Sequence, residues 1–312
     1  MKKMIKYIYM LCAASVVLTS CDTDAEYITY EGPNYIMFSD TLYELPVQNN
    51  EEYFDLPVVA TRACDYDRVL AVEIIDSLSN AQEMRHYSLK SNTVVIPAGQ
   101  LVGNVKVRGV HDNITVSDSL GFALRLVSKE ETQWDLYGID TKVLLKKACK
   151  FDINAFTGYC SIVSTFLQNY TSYSGRLTYS EVDPTEENTI IIKDYFYDGY
   201  DVKIKFTTND LLNPLLKFED QEFGPTAEAF GTKYGEDGII NLYQPTMYIS
   251  YYSSCETFIW QYMALYIPSM AGMNVVGTFI NAVEWISDDE ATKQYNEGMY
   301  TSKSAIEKMG VK

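Results

Sequence analysis

Short runs of β-branched and aromatic residues, separated by turn-forming residues, recur along the whole chain, and no long helical spacing interrupts them before the C-terminus. Strands of this kind bury one face each, so they must stack as sandwiches or close as barrels. From residue 35 the runs fall at 35–38, 41–47, 53–60, 69–75, 93–96, 102–110, 121–127 and 142–146. Seven or eight strands at that spacing predict a β-sandwich of roughly immunoglobulin size over residues 34–148. A linker at 149–154 leads into a second set, at 158–166, 174–180, 189–197, 200–207, 216–223, 238–243, 246–252, 255–267 and 275–286. Its short turns predict an up-and-down β-barrel over 155–290, followed by a C-terminal tail at 291–312. The fold class is therefore all-β, and 312 residues suit two domains of about 150.

Charge narrows the function. The chain carries 25 basic and 42 acidic residues, a formal net charge of −17. Such a field repels phosphate backbones, which argues against a nucleic-acid partner. With 2 histidines and no Cys/His pairs at ligand spacing, no metal site is predicted, and no cofactor. No P-loop, HExxH, G-x-S-x-G or GxGxxG motif is present, so no catalytic residue and no enzymatic activity are predicted.

The N-terminus carries an address. Lys2, Lys3 and Lys6 precede an apolar run from Tyr7 to Leu18, too short to span a bilayer as a helix. Leu18-Thr19-Ser20-Cys21 closes it and resembles a bacterial lipobox. The resemblance implies cleavage after residue 20 and lipid attachment at Cys21, which would hold the protein to a bilayer through acyl chains. Without the three leader lysines the formal charge becomes −20. Residues 21–33 form a tether, and Asp22-Thr23-Asp24-Ala25-Glu26 resembles the surface-export signal of Bacteroidetes lipoproteins. The expected location is the outer membrane, facing outward, with a periplasm-facing anchor as the alternative.

Residues 258–283 lack any charge over 26 positions. Pro268-Ser269-Met270-Ala271-Gly272 breaks them, and the expectation is two strands joined by a turn rather than a membrane helix. Besides Cys21, the mature chain keeps Cys64, Cys149, Cys160 and Cys255. Four cysteines allow three pairings; Cys160 with Cys255 is one candidate, and buried free thiols are the alternative.

Two resemblances sharpen the architecture. His86-Tyr87-Ser88-Leu89 followed by Thr93-Val94-Val95-Ile96-Pro97-Ala98-Gly99-Gln100 resembles the Calx-beta pattern of a tyrosine, an apolar strand and a turn. His86 stands where an acid is often found, so calcium binding is not carried over. Leu216 to Gly224 and Tyr234 to Gly238 resemble lipocalin-like domains of Bacteroidetes lipoproteins. Taken together, the chain resembles a family of such lipoproteins of unknown function, with a Calx-beta-like sandwich and a Tyr-rich lipocalin-like domain.

Candidate ligand contacts come from the aromatic residues. Tyrosine outnumbers phenylalanine 26 to 13, and most tyrosines lie after residue 155. A two-residue turn at Asp198-Gly199 predicts a hairpin placing Ile191, Lys193, Tyr195, Tyr197, Tyr200, Val202, Ile204 and Phe206 on one face. Tyr195, Tyr197 and Tyr200 would then point inward near a barrel rim. Farther on, Glu256, Phe258, Trp260, Tyr262 and Tyr266 share one strand parity. Aromatic faces stack on sugar rings while carboxylates bond hydroxyls, which makes Tyr195, Tyr197, Tyr200, Glu256, Trp260 and Tyr262 the candidate set. For any one ring, ordinary core packing is the competing reading.

The expected function is non-catalytic binding of an extracellular glycan or peptide. Its rivals are a lipocalin-like carrier of a small apolar ligand and an assembly subunit with outer-membrane protein partners. A glycosidase ranks last.

Overall fold

The computed structural model describes residues 30, 32–129, 132–134, 138–270 and 275–311. The leader, Cys21 and most of the tether lie outside the described residues. The first domain holds β1 (Ile36–Phe38), β2 (Leu42–Val47), β3 (Phe54–Ala60), β4 (Arg68–Ile74), β5 (Tyr87–Leu89), β6 (Thr93–Ile96), β7 (Val102–Gly109), β8 (Leu120–Val127) and β9 (Asp140–Lys147). They form two sheets, β1-β3-β7-β5 and β2-β9-β8-β4-β6. Alternation sets their faces: Leu56, Val58 and Ala60 of β3 point into the same core as Val105 and Val107 of β7, and Leu124 and Leu126 of β8 meet them from the other sheet. Tyr87 of the Calx-beta-like segment is buried and stacks on Phe122 with ring centroids 3.7 Å apart.

The second domain continues with β10 (Gly158–Ser164), α1 (Thr165–Tyr170), β11 (Gly175–Val182), β12 (Thr189–Lys193), β13 (Val202–Phe206), β14 (Leu216–Lys217), β15 (Gln221–Pro225), α2 (Thr226–Phe230), β16 (Ile239–Tyr243), β17 (Tyr251–Ser253), β18 (Phe258–Tyr266) and β19 (Val275–Trp285). The ladder runs β14-β13-β12-β11-β10-β19-β18-β16-β15, with β17 also paired to β18. This is the up-and-down order of a barrel, and the uncharged stretch forms the long hairpin β18–β19 within it. Among the described residues no helix is long and apolar enough to cross a membrane.

The barrel wall is discontinuous between β14 and β15. One continuous strand over 216–223 was the expectation; instead the chain leaves the sheet at Phe218–Asp220. A backbone bridge from Leu215, just before β14, to Tyr251 of β17 joins the two there, with Leu216 N–H to Ser250 O at 3.0 Å and Tyr252 N–H to Pro214 O at 2.9 Å. Elsewhere two glutamines stand in for the missing ladder. The Gln244 side-chain amide donates to Leu216 O at 3.1 Å and accepts from Phe218 N–H at 3.3 Å. The Gln221 amide accepts from Lys203 N–H at 2.8 Å and donates to Lys203 O at 3.0 Å, as a paired strand residue would.

Residues 291–311 are not a loose tail. They complete α3 (Asp288–Asn296) and contain α4 (Lys303–Met309), each started by a serine cap, Ser287 and Ser302. Ala291 and Ala305 are fully buried with Tyr159 and Leu177 on the outside of β10 and β11, so the small side chains let both helices approach the wall. The linker is likewise docked: Phe151 packs on Phe156, Phe206 and Tyr252. Cys149 bonds Cys255 in the β17–β18 turn, with Cα atoms 5.2 Å apart. This corrects the Cys160–Cys255 candidate. Cys160 is a free thiol at the barrel core, and burial raises its pKa well above the ordinary range.

Candidate functional site

The lumen of the barrel is filled. Phe156, Phe166, Phe196, Phe206, Phe223 and Phe279 meet there in edge-on and tilted contacts, with Ile and Leu side chains around them. Tyr195 is fully buried among them and donates its hydroxyl to Gln261 Oε1. The Asn281 amide donates to the same oxygen at 2.9 Å, and Ser164 donates to Asn281 Oδ1 at 2.6 Å. Burial pushes the Tyr195 hydroxyl far above its ordinary pKa, so it stays a neutral donor. Tyr197 is 5% exposed and lies against Gly224, where a Cβ would sit 2.1 Å from its ring. Tyr200 is half-buried against the same core.

The predicted hairpin face is therefore corrected. The Asp198-Gly199 turn exists, closed by Tyr200 N–H to Tyr197 O at 3.1 Å, but β12 already ends at Lys193. Asp194 takes a left-handed conformation, φ 46°, and breaks the alternation there. Ile190 and Ile192, not Ile191 and Lys193, face inward opposite Ile204 and Val202. The loop is held by charge: Asp194 accepts from Gly199 N–H at 2.6 Å and Ser304 N–H at 2.8 Å, and buried Arg176 pairs with Asp198 at 2.5 Å. Tyr195 and Tyr197 are thus buried core residues of a pinned loop.

The other half of the candidate set lies outside. Ile259, Gln261 and Met263 of β18 point into the lumen, so Phe258, Trp260, Tyr262 and Tyr266 face outward and are half-buried. Neighbouring strands extend this stripe. Tyr251, 39% exposed, pairs with Trp260 across the ladder. Tyr248, 46% exposed, stacks on Tyr262 with ring centroids 5.0 Å apart and planes within 14°. Glu256 is exposed in the turn before β18 and does not join the stripe; its N–H donates to Ser253 Oγ at 3.2 Å.

The stripe borders the wall discontinuity. There an open groove of about 950 Å³ runs between β13–β14 and the loop 244–250. Its floor is Leu216 and Phe218, its far lip Tyr248 and Ile249, and its near wall the outward lysines Lys203, Lys205 and Lys217. Lys205 pairs with Glu186 at 2.8 Å, and Lys203 with Asp183 at 2.5 Å. Hydrogen bonds from Lys203 and Thr185 hold the Asp183 carboxyl well below its usual range. Asp220 on the rim accepts from Asn241 at 2.8 Å and from the Tyr266 hydroxyl, whose pKa this bond raises. Lys217 and Glu219 are exposed and make no ion pair among the described residues, which leaves a donor and an acceptor open to a ligand. Sequence reasoning missed this groove. The one available signal was the apolar Met247-Tyr248-Ile249 following Pro245, where an exposed loop would ordinarily be polar.

Residues 136–297 match the sequence family described as Domain of unknown function (DUF4984). No curated protein matches the chain. Among solved structures, the Calx CBD1 domain is similar at 15% identity and TM-score 0.30, over 37% of this chain and 98% of that one. A protein of unknown function from Bacteroides ovatus is similar at 11% identity and TM-score 0.34, over 84% and 92% of the two chains. An auxiliary nutrient binding protein from Bacteroides thetaiotaomicron is similar at 15% identity and TM-score 0.29, over 81% and 94%.

Proposed function

The chain belongs to the DUF4984 family, and from that premise we propose that it is a non-catalytic glycan-binding lipoprotein, held to the outer membrane through Cys21 and facing outward. The observation that carries this reading is the outward aromatic stripe of Trp260, Tyr262, Tyr251 and Tyr248 beside an open groove, while the lumen is filled. Trp260 and Tyr262 on a strand, with Tyr248 held by stacking on Tyr262, are preorganised platforms for sugar C–H faces, because little side-chain entropy remains to be lost. Lys217 and Glu219 supply a donor and an acceptor at the groove, as hydroxyl recognition needs. A carrier of an enclosed apolar ligand would need the space that the phenylalanine cluster occupies.

The test is affinity electrophoresis of the unlipidated chain, from residue 22 onward, through gels containing individual plant and host polysaccharides. Wild type should be retarded by at least one, and Trp260→Ala and Tyr248→Ala should run freely with unchanged circular dichroism. Retardation that survives both changes would sink the proposed site.

A further inference from the structure

The groove on the barrel wall has a second half. The groove and a cleft of about 390 Å³ adjoin across the Leu215–Tyr251 bridge, and together they make a trough: residues 215–221, 244–246 and 248–250 line the groove, while 210–214 and 251–255 line the cleft. The far wall of that cleft belongs to the sandwich domain, through Glu44, Asp118, Lys146 and Lys147. Cys149, at the end of that wall, is bonded to Cys255 at the end of the barrel's wall, so one covalent link fixes the distance between them. Phe258 and Tyr251 carry the aromatic stripe into the cleft.

We propose that the trough binds an internal segment of an uncharged polysaccharide chain, with its two halves as successive subsites across the domain junction. This rests on the glycan-binding reading above. Size supports a polymer: the groove alone is at the top of the roughly 300–1,000 Å³ that houses a small ligand, and the cleft extends it. Both halves open to solvent at the surface rather than forming enclosed cavities, which suits an internal segment of a chain. Charge supports an uncharged ligand. Five lysines and six carboxylates line the trough, close to balance, on a chain of formal charge −17 whose wider field repels polyanions. The disulfide then acts as a positioning element that holds the two walls of the cleft subsite at a fixed separation.

Calorimetric titration with oligosaccharides of two, four and eight units, cut from xyloglucan, galactomannan and mixed-linkage glucan, tests this, with polygalacturonate as the acidic comparator. For the glycan that binds, affinity should rise at least tenfold from four units to eight. The exposed-residue double variant Leu211→Ala/Lys146→Ala in the cleft should lose that gain while binding the four-unit chain as wild type does. Cys149→Ser/Cys255→Ser should show the same pattern, and because its fold is checked separately by thermal melting, the first variant stands if the second fails to fold. Equal affinity for four and eight units, or an unaffected cleft variant, overturns the two-subsite inference and leaves glycan binding in place. Tighter binding of polygalacturonate overturns the uncharged ligand. Binding of none of these by wild type overturns both readings together.

Discussion

Tyr195 and Tyr262 are the same residue type on neighbouring parts of one barrel, and the wall between them gives them opposite work. Tyr195 is enclosed, hydrogen-bonded to Gln261 and surrounded by phenylalanines; Tyr262 lies on the outer surface, stacked on the exposed Tyr248. The lesson is that tyrosine abundance alone carries no information about binding. Inside, the ring contributes buried area and its hydroxyl must find a partner in a low-dielectric core. Outside, Tyr262 backs the exposed ring of Tyr248 and holds it in a fixed orientation.

The comparison can be broken most severely from inside. Tyr195→Ala should remove a fully buried ring and leave Gln261 without that donor, costing about 4 kcal/mol of stability by large-to-small core precedent. Chemical denaturation measures it, and a cost below about 1 kcal/mol would show that the lumen is loosely filled. Asp198→Ala comes next. Asp198 itself is largely exposed, yet its loss leaves the Arg176 guanidinium buried without its carboxylate, so a loss of about 2–3 kcal/mol is expected. Such a cost at an exposed site would confirm that the Tyr195–Tyr200 loop is pinned for structural reasons.

The groove wall should respond to pH. The Asp183 carboxyl is held low in the folded chain by Lys203 and Thr185, so its contribution is present above the unfolded value of about 3.9 and is lost as pH falls through the folded one. Asp183→Asn should therefore lower stability at pH 7 and flatten the decline of stability between about pH 5 and pH 2. Urea midpoints across that range check the sign; an unchanged slope would contradict the pairing. The smallest stability effect belongs to the stripe. Trp260→Ala trims a half-buried outer side chain and should cost under about 1 kcal/mol, while weakening glycan binding at least tenfold.

Much of the fold was legible in the sequence because its strands alternate cleanly. Leu56, Val58 and Ala60 announce a buried face by period two, and one strand parity held Phe258, Trp260, Tyr262 and Tyr266 together as the structure does, although Glu256 of that parity falls in the turn and only the structure shows that the Ile259–Gln261–Met263 parity is the inner one. What failed did so where alternation is interrupted. The positive φ at Asp194 has no signature in a run reading Ile-Ile-Lys-Asp-Tyr-Phe-Tyr, so the register carried past it placed Lys193 inward. The break at Phe218–Asp220 was hidden because Leu216 to Phe223 reads as a plausible strand, and only long-range pairing decides that Gln221 and Gln244 bridge the wall instead. The Cys149–Cys255 bond joins residues 106 apart and likewise depends on how the linker docks. Strand parity grouped Trp260 and Tyr262 of the proposed stripe on one face. Tyr248 and Lys217 belong to irregular or very short segments, where no period exists to read.

The outer stripe against the inner core is best tested in one titration. Wild type, Tyr195→Phe and the Trp260→Ala/Tyr248→Ala double variant are titrated calorimetrically with the polysaccharide that retards wild type in gels. Glycan binding on the outer wall predicts wild-type affinity for Tyr195→Phe, despite its lost bond to Gln261, and no measurable heat for the double variant. Binding retained by the double variant and lost in a folded Tyr195→Phe would contradict it, and would place the ligand inside the barrel.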